Sequence, residues 1–112
     1  MKCLVVGGAG FIGSNLVDRL IKDGHKVLVL DDLSTGKKEN INEKADFIEF
    51  DISKNWDELG ITIEKIDVVF HLAAKARVQP SIEKPVEFNK VNVNGMLNVL
   101  KACVDNGVKR FI

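Results

Sequence analysis

Three glycines, Gly7, Gly10 and Gly13, stand between the apolar run Cys3-Leu4-Val5-Val6 and an amphipathic stretch. Glycines placed this way can build a phosphate-cradling loop. Lacking a β-carbon, they let the chain turn sharply off a strand, let a pyrophosphate approach the backbone, and let the following helix pack closely on the sheet. The first amides of that helix have no upstream partner and face the anion, which the positive end of the helix dipole also attracts. No Asp or Glu occupies the first turn after Gly10, so that positive end is left to a ligand. The spacing is G-x-x-G-x-x-G rather than G-x-G-x-x-G, and a tight turn that binds nothing is the alternative reading, so the surrounding elements must decide.

Those elements are in register. Ile12, Leu16, Leu20 and Ile21 share one face of a helix, with Val17 beside them, and Asn15, Asp18, Arg19 and Lys22 share the other. Asp23-Gly24 stops it, Gly24 suiting the left-handed residue just past a helix end. A second strand, His25–Leu30, finishes in Asp31-Asp32, which places a carboxylate eighteen residues after Gly13. That is close to the separation of about 20 residues expected for an acid that holds an adenosine ribose. Such a carboxylate accepts hydrogen bonds from the 2′- and 3′-hydroxyls and repels a 2′-phosphate. The pattern therefore reads as NAD rather than NADP, with Lys37 and Lys38 running against that preference. An aspartate that merely ends a strand and begins a turn is the competing explanation of Asp31.

Further along, Ala45–Phe50 reads as a third strand, preceded by a polar stretch, Ser34 to Lys44, with room for a short helix. A turn or short helix carrying Trp56 and Leu59 follows, then a largely apolar fourth strand, Ile66–Leu72, suited to burial on both faces. A helix from about Pro85 to Asn106 begins with a proline, which a first turn tolerates, and stops at Gly107. Its apolar spine, Val93, Leu97, Leu100 and Val104, has the spacing of a stripe that packs on a sheet. Gly95 inside that helix costs about 1 kcal/mol relative to alanine, which implies a close neighbour there. Lys109–Ile112 opens a fifth strand.

Alternating strands and helices imply an α/β fold: a Rossmann-like, doubly wound parallel sheet of about five strands, truncated relative to a complete dinucleotide enzyme. The first strand would be central, the second and third on one side, the fourth and fifth on the other, with the cofactor crossing the switch between strands one and four. The 112 residues make one domain, an incomplete NAD-binding unit over 1–112. Sixteen basic residues balance sixteen acidic ones, so charge gives no case for nucleic acid. Apolar runs are strand-length, with neither a membrane span nor a secretory signal. Cys3 and Cys103 sit in apolar surroundings without a C-x-x-C pattern and read as reduced core residues of a cytoplasmic protein. His25 and His71 have no nearby ligand partner, so no metal is expected.

The chain resembles the extended short-chain dehydrogenase/reductase family, and within it the branch of UDP-glucose 4-epimerases and nucleotide-sugar dehydratases. The resemblance rests on Gly7–Ser14, on Asp31-Asp32-Leu33-Ser34-Thr35-Gly36, on Asp51-Ile52, on His71-Leu72-Ala73-Ala74 and on Asn92-Val93-Asn94-Gly95, in the family's order. It implies that Phe11 and Ile12 lie at the pyrophosphate and that Asp31 and Asp32 hold the adenosine ribose. It implies that Asp51 and Ile52 flank the adenine, the carboxylate taking its amino group and the isoleucine covering a ring face. Leu72, Ala73 and Ala74 would line the path to the nicotinamide ribose, and Asn92 would be the helix asparagine near the nicotinamide half. Ser81 falls in a region that approaches the substrate side.

Plainer explanations stand beside these. Asp51 could simply end a strand, and the two alanines could be ordinary packing. His71 reads as a hydrogen-bonded core residue rather than a base, and Lys75 with Arg77 as solvated cations rather than a phosphate clamp. The chain also departs from the family, with Val6 and Met96 where threonine is frequent. It contains no tyrosine, so the family's Y-x-x-x-K pair, in which lysine lowers the pKa of a tyrosine that takes a sugar-hydroxyl proton, is missing. No catalytic residue is therefore assigned. The expectation is the NAD-binding portion of a nucleotide-sugar epimerase or dehydratase, inactive alone, with a UDP-sugar as partner of the full-length protein. An uncovered sheet edge adds the expectation of a homo-oligomer. The alternative is a stand-alone NAD-binding or redox-sensing module acting through another protein.

Overall fold

The computed structural model describes residues 1–59 and 63–112. Five parallel strands, β1 (Lys2–Val6), β2 (Lys26–Asp31), β3 (Asp46–Glu49), β4 (Val68–His71) and β5 (Arg110–Phe111), form one sheet in the order β3-β2-β1-β4-β5. This is the doubly wound order expected from the alternation of elements, with the first strand central. Register brings the strand ends to one level: Val6 pairs with Leu30 on one side and with His71 on the other.

Because β1 and β2 are covered on both faces, their side chains alternate between two apolar layers. Val5, Val27 and Val29 point to the layer that holds Val17 of helix α1 (Phe11–Lys22). Leu4, Val6, Leu28 and Leu30 point to the opposite layer, with Val69 of β4 and Val99, Ala102 and Cys103 of helix α4 (Met96–Asp105). Burial pushes the thiols of Cys3 and Cys103 above their ordinary pKa, so both stay protonated and inert. Helix α1 ends as Asp23-Gly24 predicts: Gly24 has φ +88°, its N–H donates to Ile21 O, and His25 N–H reaches back to Leu20 O.

The face of α1 differs at its start. Ile12, grouped above with the buried residues, is 69 % exposed, and Phe11 is 85 % exposed. The first turn projects past the strand ends, where no sheet remains to cover it. Gly13 and Val17 are the helix's buried residues, with Leu16, Leu20 and Ile21 partly buried beside them.

The larger correction concerns the segment from Pro85 to Asn106. It is a short helix α3 (Pro85–Asn89), a π-helical turn (Lys90–Gly95) and α4. A further helix, α2 (Val78–Glu83), precedes it where none was read. The spine Val93, Leu97, Leu100, Val104 faces outward, Val93, Leu97 and Val104 being 57, 64 and 78 % exposed. Gly95, Val99, Ala102 and Cys103 face the sheet instead. Small residues let the helix lie close to the strands, and a period count weighted by side-chain size selects the bulky stripe over the small one. The close neighbour implied at Gly95 is Ile52: a β-carbon on Gly95 would lie 2.8 Å from Ile52 Cδ1.

Candidate functional site: a cleft at the strand switch

A cleft opens at the carboxyl ends of β1, β2 and β4, where strand order reverses, the usual ligand position in such sheets. Its floor is the turn after β1. Gly7 has φ +88°, a conformation that disfavours any side chain, and a β-carbon there would meet Ala73 N at 2.7 Å. The turn is drawn tight by Gly7 N–H, which donates to Leu30 O at 2.7 Å. Gly13 seats the helix on it, since a β-carbon at Gly13 would come within 2.8 Å of Gly8 Cα.

Gly10 differs from both. A β-carbon there would meet only Gly7 O, at an ordinary 3.6 Å, so packing alone does not require glycine at this position. It stands as N-cap of α1 with no side-chain cap, and no acid lies in the first turn. The leading amides of α1 thus remain available to an anion.

Asp31 organises the second wall. Its Oδ2 accepts from Ala9 N–H at 2.9 Å, its Oδ1 from Leu33 N–H at 2.8 Å. The carboxylate therefore ties the glycine loop to the end of β2, and each oxygen retains a lone pair for a ribose hydroxyl. Asp32 Oδ1 accepts from Ser34 N–H, and Gly36 lets the loop close over Ala9, where a β-carbon would meet Ala9 C at 2.6 Å.

Gly7, Gly10, Asp31, Asp32, Ile52, Leu72, Ala73 and Ala74 are brought together around the cleft. Five other candidates lie outside its lining. Phe11 and Ile12 turn their side chains to solvent, leaving only their amides at the helix start, and Gly13 sits beneath the loop. Asp51 Oδ1 is taken by Ser53, accepting from its N–H at 2.9 Å and its hydroxyl at 2.7 Å. Asn92 is turned to the backbone of Lys75 and its neighbour Val91 lines the cleft in its place.

Leu30, Ser34, Thr35, Phe50, Lys75 and Val91 also line it and were not singled out as contacts. Ser34 and Thr35 were legible, being inside the quoted D-D-L-S-T-G segment. Lys75, read as a solvated cation with Arg77, is instead part-buried and bonded to Glu87 at 2.8 Å. That bond holds the Lys75 ammonium above its ordinary pKa, with Asp32 and Asp51 adding to the effect, and holds Glu87 below its own. Arg77 is exposed at φ +89°, and Ser81 donates its hydroxyl to Val78 O within α2.

His71 is not the hydrogen-bonded core residue expected. Its ring stacks on Phe111 with centroids 5.7 Å apart, and its Nδ1 is buried with no partner among the described residues. Burial pushes its pKa down and keeps the imidazole neutral near pH 7. Among the described residues no cluster of potential metal ligands occurs and no helix is long and apolar enough to cross a membrane.

The NAD dependent epimerase/dehydratase family model matches residues 3–112. The UDP-glucose 4-epimerase of Lactobacillus helveticus is 44 % identical over all of this chain, which covers 34 % of that protein. Among solved structures, the UDP-glucose 4-epimerase of Thermotoga maritima with UDP-glucose superposes with a TM-score of 0.93 at 45 % identity, over 99 % of this chain and 36 % of that one. The Thermus thermophilus UDP-glucose 4-epimerase in complex with NAD gives 0.85 at 41 %, again over 99 % and 36 %. The chain thus spans about a third of the length of these relatives, matching their amino-terminal portion. A match from the first strand to the last, with the glycine turn, the β2 aspartate and the strand switch assembled as a dinucleotide cleft requires, means that the chain belongs to the NAD-dependent epimerase/dehydratase family.

Proposed function

We propose that this chain binds NAD across the switch between β1 and β4, as the cofactor-binding portion of a nucleotide-sugar epimerase. The observation that carries the reading is Gly10: it has no packing need to be glycine, yet it lines the cleft and stands as N-cap of a helix with no side-chain cap and no acid in its first turn. In this placement the pyrophosphate lies on Gly10 and the amides of Phe11 and Ile12. The adenosine ribose lies on Asp31 with Asp32 beside it, and the adenine extends over Ile52, with Asp51 at its edge. The nicotinamide half runs along Leu72, Ala73 and Ala74, with Asn92 behind them. When bound, NAD supplies a hydride acceptor. The residues present bind and orient it, and the proton-transferring tyrosine of the family is not among them.

The test is calorimetric titration with NAD and NADP. Wild type is expected to favour NAD. Asp31→Ala should weaken NAD by about ten- to a hundredfold, having lost the ribose acceptor and the tie to Ala9. The loop defect costs both cofactors alike, so the preference ratio isolates the ribose role: it should collapse toward one. An unchanged ratio would remove Asp31 from the ribose.

A UDP-sugar is the proposed substrate of the full-length protein, supported by the relatives. A reducing, cytoplasmic setting fits the two buried free thiols. We also propose self-association through the outward stripe Val93, Leu97, Leu100 and Val104, since this row of aliphatic side chains along the π-helical turn and α4 is exposed, Leu100 least of the four. Light scattering should show mass rising with concentration, and Leu97→Glu with Val104→Glu should hold the chain monomeric. A wild type monomeric throughout would sink this proposal.

A further inference from the structure

The residue ahead of Gly10 is held through both of its backbone polar groups. Ala9 is fully buried, and its N–H donates to Asp31 Oδ2 at 2.9 Å. Its carbonyl is taken by the segment that follows β2: Lys37 N–H and Asn40 Nδ2 both donate to it, each at 3.3 Å. Asn40 ends a short 3-10 turn, Lys38–Asn40, closed by Asn40 N–H to Lys37 O and Ile41 N–H to Lys38 O. The turn is fastened from outside as well. The Lys38 ammonium stands 5.8 Å from the centre of the Phe47 ring on β3, and Asn42 Nδ2 donates to Asp18 Oδ1 on α1 at 2.9 Å.

The carbonyl needs holding because Gly10 does not hold it. Glycine permits φ on either side of zero, so the backbone of Gly10 leaves the Ala9–Gly10 peptide plane free to turn. In a planar trans peptide the C=O and the next N–H point opposite ways. An Ala9 carbonyl drawn toward Lys37 and Asn40 therefore sends the Gly10 N–H back into the glycine turn, where it meets Gly7 O at 3.4 Å. Turned over, the same carbonyl would bring its negative end into that turn, against Gly7 O. Gly7 and Gly10 both line the cleft, so the misplaced oxygen would repel a diphosphate arriving there.

We propose that Asn40 is a positioning residue for the diphosphate. By holding the Ala9 carbonyl it fixes the peptide plane ahead of Gly10, and with it the cradle at the start of α1. Asp31 holds the other polar group of Ala9, so the segment from Asp31 to Asn40 sets the ribose and diphosphate positions as one unit. This inference rests on the NAD-binding reading and adds to it an exposed residue, outside the cleft lining, that governs affinity for one portion of the ligand.

The test titrates adenosine, ADP and NAD into the 112-residue chain and its variants. Adenosine carries the ribose alone, and ADP adds the diphosphate. Asn40→Ala should weaken ADP and NAD about fivefold and leave adenosine unchanged, the Lys37 amide being left as the carbonyl's sole donor. Asp18→Ala cuts the same segment from α1 instead and should leave all three ligands at wild-type affinity. Equal losses of ADP in the two variants would reduce Asn40 to a loop tether and overturn the proposal. So would an adenosine loss in Asn40→Ala as large as its ADP loss, or ADP bound as tightly as by wild type. A wild type that binds none of the three would overturn the NAD-binding reading instead. Should Asn40→Ala fail to fold, hydrogen exchange in wild type decides: because coupling is reciprocal, ADP should slow exchange of the Asn40 side-chain amide while adenosine does not. A rate indifferent to ADP would overturn the proposal.

Discussion

Gly10→Val is expected to reduce NAD affinity by at least about a hundredfold while the protein keeps its fold and its melting temperature within a few degrees. The separation of the two effects follows from geometry. Gly10 has φ −77° and ψ 176°, an extended conformation that a β-branched residue adopts without strain. A β-carbon there meets only Gly7 O at 3.6 Å, an ordinary contact, so the folded chain has room for it. A pyrophosphate drawn to the first amides of α1 has none, because the valine methyls occupy the approach those N–H groups require. Circular dichroism and thermal melting establish that the variant is folded, and isothermal titration reads the cofactor. A folded Gly10→Val chain that binds NAD like wild type would place the dinucleotide elsewhere.

The parts of the site legible in the sequence were those set by backbone geometry. Gly7 and Gly13 announce positions where backbone crowds out a side chain, and Gly24 a left-handed residue past a helix end, and each occupies the turn or contact its spacing implied. Asp31 was found by its distance from Gly13, although its tie to Ala9 was not, because nothing local signals a hydrogen bond across 22 positions. Sheet order was legible too, since alternating strands and helices leave few right-handed arrangements.

What the sequence concealed depends on which face a helix turns inward. Val93, Leu97, Leu100 and Val104 are bulky and correctly spaced, yet the sheet is met by Gly95, Val99, Ala102 and Cys103. Small residues on the facing side let a helix lie close to a sheet, and single-residue hydropathy gives glycine and alanine little weight. The π-helical turn shifts the phase of the stripe midway, and no residue in K-V-N-V-N-G marks it. The same difficulty hid the true partner of Asn92: an asparagine on a helix reads as a ligand contact or a surface residue with equal ease, and only the proximity of Lys75 decides.

Gly13→Ala should fail in the opposite assay from Gly10→Val, though the two positions are one helical turn apart. A β-carbon on Gly13 would collide with Gly7 O and lie 2.8 Å from Gly8 Cα and 2.9 Å from Gly7 C. Every one of these atoms is backbone, and the Gly7 segment is pinned in turn by its N–H to Leu30 O and by the close approach of Ala73. The turn cannot yield, so α1 must lift from the strands. Lifting it opens the layer in which Val17 packs with Val5, Val27 and Val29. Overpacking against rigid neighbours costs about 3 kcal/mol or more, set against the 5–15 kcal/mol that holds a typical domain together. The added methyl should therefore lower the melting temperature by well over about 10 °C, or leave the chain unfolded at 25 °C. Chemical denaturation of both variants beside wild type checks the contrast. A Gly13→Ala chain as stable as wild type would mean that α1 does not sit on the glycine turn, and with it the cradle at Gly10 would lose its shape.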